Sequence, residues 1–98
     1  MNLNSKQRAN LRALASTIEP CYIIGKGNLT DNVLNGIDEA LTKRELIKIS
    51  VLKTAEKKAR ELIDEIASAL DATAVAAIGN KIVLYRYSDN ENIEHIEF

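Results

Sequence analysis

The chain has 98 residues, 46% of them hydrophobic, with 13 Lys and Arg against 14 Asp and Glu, for a formal net charge of −1. That length and balance describe one small folded domain with one modest core, and exclude both a disordered chain and a two-domain dinucleotide-binding enzyme. A single Cys permits no internal disulfide, one Cys and one His are too few for the usual zinc ligand sets, and no apolar run approaches the roughly 20 residues that span a bilayer.

Leu11, Leu14, Ala15 and Ile18 draw one apolar stripe on a first helix that starts near Asn4 or Ser5, with Gln7 placed for a reciprocal cap. Its polar side carries Lys6, Arg8 and Arg12, and Glu19-Pro20 stops it. Cys21 to Ile24 reads as a short buried strand. It runs into Gly25-Lys26-Gly27-Asn28-Leu29-Thr30, after which Val33, Leu34, Ile37, Ala40 and Leu41 mark a second helix capped by Thr30 or Asp31. Gly36 weakens that helix, and close packing against a neighbour is the expected reason. Leu46 to Leu52 alternates as a strand that buries Ile47, Ile49 and Val51. Ala59, Leu62, Ile63, Ile66, Ala67 and Leu70 then define a third helix in a segment beginning near Thr54, so Lys53, Lys57, Lys58 and Arg60 crowd its positive end at some electrostatic cost. Ala74 to Ile78 and Lys81 to Tyr87 form a hairpin around Gly79-Asn80, whose residues tolerate positive φ angles. The order αβαβαββ predicts an α/β domain with a mixed four-stranded sheet packed with helices.

Charge is segregated along this chain. All thirteen basic residues precede residue 89, whereas residues 89–98 carry Asp89, Glu91, Glu94 and Glu97. The expected organisation is a mildly basic body, residues 1–88, and an acidic C-terminal tail, residues 89–98. The opening Met1 to Arg8 has no apolar stretch behind its charges and does not read as a secretory leader, so the cytoplasm is the expected compartment, with no membrane partner.

Chemistry is concentrated between the first strand and the second helix. Two glycines allow close backbone approach, a helix start offers unpaired N–H groups, and Lys26 adds a full positive charge, which together make a phosphate site; a tight turn that uses glycine only for its φ angles is the other reading. A dinucleotide fingerprint fails at Thr30, where a third glycine belongs, and no Walker frame exists. A nucleic-acid backbone, held as a GxxG loop holds a few nucleotides at a helix start, remains. Catalysis has little to work with: His95 lies in the acidic tail with nothing in sequence to fix it, and Cys21 has no nearby His to activate it. Tyr22, Tyr85 and Tyr87 could stack on bases, but Tyr85 and Tyr87 share a strand face and read first as core, and Lys81 and Arg86, in or beside a strand, suit structural ion pairs at least as well as nucleic-acid contacts. No enzyme, cofactor or metal is expected.

Leu11-Arg-Ala-Leu-Ala15, Ile24-Gly-Lys-Gly-Asn-Leu-Thr30 with Val33-Leu34, Glu45-Leu-Ile-Lys-Ile49, and Ile78-Gly-Asn-Lys-Ile-Val-Leu-Tyr-Arg86 together resemble the CRM domain (chloroplast RNA splicing and ribosome maturation) in its stand-alone bacterial YhbY form. The resemblance covers residues 3 to 87. It implies a fold similar to the C-terminal domain of translation initiation factor 3, and an RNA-binding protein that assists ribosome assembly on precursors of the large subunit. The family's GxxG loop falls on Gly25, Lys26, Gly27 and Asn28, with Asn in place of the last glycine, a residue that tolerates a left-handed backbone. The expected RNA contacts are therefore Gly25, Lys26, Gly27, Asn28, Leu29 and Thr30, joined by Lys6, Arg8 and Arg12 from the first helix and Lys53 and Lys57 from the third. Recognition by backbone and shape is expected, by a monomer, with ribosomal proteins as a second class of partner. An alternative is a protein-interaction adaptor that uses the acidic tail on the ribosome and keeps the glycine loop only as structure; a nucleotide-binding enzyme is a third, weaker reading.

Overall fold

The computed structural model describes residues 2–27 and 29–98; the expected contact at Asn28 lies outside them. Seven elements follow in the predicted order: α1 (Ser5–Ala15), β1 (Tyr22–Ile24), α2 (Asp31–Arg44), β2 (Leu46–Val51), α3 (Ala59–Leu70), β3 (Thr73–Ile78) and β4 (Lys81–Tyr85).

Local chemistry accounts for most of their boundaries. The Asn4 side chain accepts from the Gln7 amide at 2.8 Å while the Gln7 side chain accepts from the Asn4 amide at 3.1 Å, satisfying two donors at the start of α1. Thr30 Oγ1 accepts from the Val33 amide at 3.2 Å and caps α2. Gly36 is explained by contact: a Cβ there would stand 2.6 Å from Cε2 of the Tyr22 ring, so α2 and β1 approach as closely as they do because the side chain is missing. In the hairpin only Gly79, at φ +58°, takes a positive φ; Asn80 does not.

Two expectations are corrected at helix ends. The stripe on α1 is shorter than predicted, since the helix stops at Ala15, Leu14 is exposed and Ile18 lies beyond it. More consequentially, α3 begins at Ala59 rather than near Thr54. Of residues 53–58 only Ala55 is apolar, and it packs on the core from a loop. Lys58 is the extended N-cap, so Lys53 and Lys57 precede the helix and avoid the dipole cost of a cationic first turn.

The sheet order is β1-β2-β4-β3, with β1 parallel to β2 and β4 antiparallel to both its neighbours. β2 and β3 therefore run the same way with β4 inserted between them. One face carries Ile24, Ile47, Ile49, Val51, Ile82 and Leu84 against Ile37 and Leu41 of α2 and Leu62, Ile63 and Ile66 of α3. Each such side chain contributes about 1.5–3 kcal/mol on burial. The opposite face presents Leu46, Val75, Val83 and Tyr85 to Leu11 and Ala15 of α1. Residues 89–98 form no helix or strand, yet they are seated: Ile96 and Phe98 pack on this second cluster, and the Phe98 ring meets Tyr85 edge-on at 4.8 Å.

Candidate nucleic-acid interface

Topology gathers three connections at one end of the sheet. Parallel β1 and β2 both finish there, and the β3–β4 turn reverses there. Leu52 N–H donates to the Ile24 carbonyl at 2.8 Å, and Val51 N–H donates to the Asn80 carbonyl at 2.8 Å. Gly25 lies against the second loop, where a Cβ would sit 3.3 Å from Leu52 Cδ1. Residues 25–27, 52–58 and 79–80 thus form a contiguous rim.

Within the first loop the residues divide by role. Leu29 turns into the core and Thr30 is occupied as the α2 cap. Lys26 and Gly27 are exposed, Gly27 at φ +107° with open space around it, and Lys26 makes no ion pair with a described residue. Lys53 is likewise exposed on the neighbouring loop. Lys57 is ion-paired with Glu65, whose hydrogen bond and charge push its amine above the ordinary lysine range. Both partners of that pair are well exposed, so a competing phosphate can exchange for the carboxylate at little cost.

The expected contacts on α1 do not join this rim. α1 crosses the other face of the sheet, over Leu46, Val75, Val83 and Tyr85. There the Arg8 guanidinium donates to the carbonyls of Ala74 and Val75, where the β3 register shifts, and so anchors the helix to an edge strand. Lys6 and Arg12 are exposed on the same helix. Two further cations stand at the rim beside the expected contacts. Lys58 is the exposed N-cap of α3, and Lys81 donates to Ser50 Oγ at 3.0 Å and Asn80 Oδ1 at 3.3 Å. Lys81 was expected in an ion pair, but both its acceptors are neutral, so its charge stays available. The usable signal was the hairpin turn, which places Lys81 beside the two loops.

The far end of the sheet is organised in the opposite way. Glu45, the C-cap of α2 at φ +62°, is wholly buried. Its Oε2 accepts from the Ser88 amide at 2.8 Å and lies 2.7 Å from His95 Nδ1, and its Oε1 accepts from the Ile96 amide at 2.9 Å. Burial pushes the carboxyl pKa up, but these donors and the His95 charge more than offset it and leave it below the ordinary value. His95 is therefore fixed, contrary to the sequence-based expectation, and its ring stacks on Tyr87 at 4.2 Å. Tyr87, expected in the core, is exposed beneath that ring. Beside them Arg86 is ion-paired with Asp38 at 2.7 Å, as anticipated, and also donates to the Leu70 carbonyl and Thr42 Oγ1.

The Glu45 and His95 pair serves to hold the tail, since both carboxylate oxygens are engaged. Burial raises the pKa of the half-buried Cys21 thiol despite Arg44 nearby. Among the described residues no cluster of three or more His, Cys, Asp or Glu could hold a metal, and no helix is long and apolar enough to cross a membrane.

Comparison with known proteins places this geometry in context. Residues 3–86 match the model of the CRS1 / YhbY (CRM) domain. The chain is 40% identical over 93 residues to the Bacillus subtilis protein named "Probable RNA-binding protein YqeI", covering 94% of this chain and 97% of that one. It is 35% identical over 92 residues to a Haemophilus influenzae protein named "RNA-binding protein", covering 94% and 93%. Among solved structures, a hypothetical Staphylococcus aureus protein described as a candidate RNA-binding protein superimposes with a TM-score of 0.77 at 38% identity, over 93% of this chain and 95% of that one.

Proposed function

The chain belongs to the CRS1 / YhbY (CRM) domain family, and from that premise we propose that it is an RNA-binding protein whose contact surface is the rim formed by residues 25–27, 52–58 and 79–80. One observation carries the reading: Lys26 stands beside the exposed Gly27 on the first loop, Lys53 and Lys58 lie exposed on the second, Lys81 follows the hairpin turn, and none is ion-paired with a described residue. At Gly27 the backbone carries no side chain of its own to hold off a phosphate, and Lys26 beside it supplies a positive charge. With Tyr85 buried and Tyr22 packed beneath Gly36, this rim offers no aromatic platform, which favours recognition of backbone and shape over base identity. The biological target we propose is precursor large-subunit ribosomal RNA, with the protein acting as an assembly factor in the cytoplasm and performing no catalysis.

Two measurements test this. In a binding titration against RNA, affinity should fall steeply as salt rises, and Lys26→Glu should lower it by about tenfold while the thermal unfolding midpoint holds. Undiminished binding by that variant removes the loop from the site. On a sucrose gradient of cell extract, the protein should sediment with large-subunit particles at low salt and leave them at high salt. Sedimentation only as a free small protein would overturn the assembly role, and ribosome association lost on deleting residues 89–98, with free RNA binding unchanged, would favour the adaptor.

A further inference from the structure

The rim continues onto a part of the sheet that no helix covers. On the α1 side of the sheet, the register aligns Ile23 of β1, Ser50 of β2, Lys81 of β4 and Ile78 of β3 in one row. Ile23 is 60% exposed and Ile78 is 61% exposed, and Leu52, at the rim end of β2 beside Gly25, is 46% exposed. Three of the five large exposed hydrophobic residues among those described therefore lie on this strip. No strand of the sheet carries an acidic residue, and Lys81 sits between the two isoleucines with Lys48 one row below.

We propose that this strip is a binding path for single-stranded RNA, entered from the Gly25 to Gly27 loop; the proposal rests on the RNA-binding reading above. Charge selects the class of partner, because a cationic centre with no strand acid beside it suits a polyanion. The exposed aliphatic side chains select its form. A duplex keeps its bases stacked inside and offers only sugars and phosphates, whereas an unpaired strand presents apolar base faces that can cover Ile23, Leu52 and Ile78. Neighbouring strands are about 4.8 Å apart, so Ile23 and Ile78 stand roughly 14 Å from each other, with Lys81 placed to meet a phosphate between the bases they support. Aliphatic contacts are indifferent to base identity, so the path reads strandedness and not sequence.

The test compares two RNA probes of equal length, an unstructured oligouridine and a perfectly paired hairpin, against wild type, Ile78→Ser, Lys81→Ala and Lys26→Glu. Ile78→Ser changes an exposed side chain, and Lys81→Ala removes a surface amine, so both variants should fold; their unfolding midpoints verify it. We expect Ile78→Ser to weaken oligouridine binding about fivefold and to leave hairpin binding within twofold, whereas Lys81→Ala, which removes a rim cation as well, should weaken both probes and lower the salt slope of each by about one. Lys26→Glu should weaken both probes. If Ile78→Ser binds oligouridine like wild type while Lys26→Glu and Lys81→Ala do not, the path is wrong and the rim assignment stands. If wild type binds neither probe, the RNA-binding reading itself falls and takes this proposal with it. If oligouridine binding is unchanged and Ile78→Ser abolishes a concentration-dependent dimer in sedimentation, the strip belongs to a second copy of the chain.

Discussion

The two ends of the sheet handle polar groups in contrary ways. At the Glu45 end a buried carboxylate, three main-chain or ring donors and an arginine with four acceptors satisfy one another inside the fold. At the Gly25 end, four lysines have no acid partner among the described residues and a glycine backbone stands open. Internal satisfaction stabilises, and unsatisfied charge on a preformed surface is what a ligand can use. The difference separates the region that holds the domain together from the region free to bind.

The sharpest way to break that contrast is Glu45→Ala, which leaves the Ser88 and Ile96 amides and His95 without their acceptor in a buried setting. A loss of about 3 kcal/mol in urea unfolding is expected. The same residue sets a pH dependence. Its carboxyl binds a proton less readily folded than unfolded, so its contribution is complete above the unfolded value near 4.5 and is lost as pH falls through the lower folded value. Stability measured at pH 6 and pH 3 should differ less in Glu45→Gln than in wild type. Phe98→Ala removes the edge contact on Tyr85 and should cost about 1.5 kcal/mol, a loss that a tail detached from the body would not show. Gly27→Ala, at the open end, should cost about 1 kcal/mol, through its positive φ and not through a clash, since nothing lies near. Lys57→Ala should leave the urea midpoint almost where it is in wild type, because it breaks only an exposed ion pair.

Much of the frame was legible in the sequence because it is written in local chemistry. The Asn4 and Gln7 box, the Thr30 cap, the Gly79 turn and the missing side chain at Gly36 each depend on residues near one another in the chain or on a rule about one residue. Glu45 was not legible, because its partners lie 43 to 51 residues away and an acid before a strand reads as solvated. The α3 start is not legible because the apolar stripe from Ala59 to Leu70 fixes the helix face and not its first residue, and Ala55 packs on the core from a loop. The candidate site was legible in kind and not in composition. A row of letters gives Lys6, Arg8, Lys53 and Lys81 equal standing, and only the sheet order sends the first two over one face and the last two to the rim.

That order also bears on how the chain acquires its structure. β4, the last strand in sequence, occupies the interior of the sheet, and β3 touches the rest of the sheet only through it. Until residues 81–85 arrive, β2 has an open edge and β3 has no strand to pair with, so the nascent chain can form helices and the β1–β2 pair but not a closed core. Folding is therefore delayed until residues 81–85 are available, when one late strand joins the two halves.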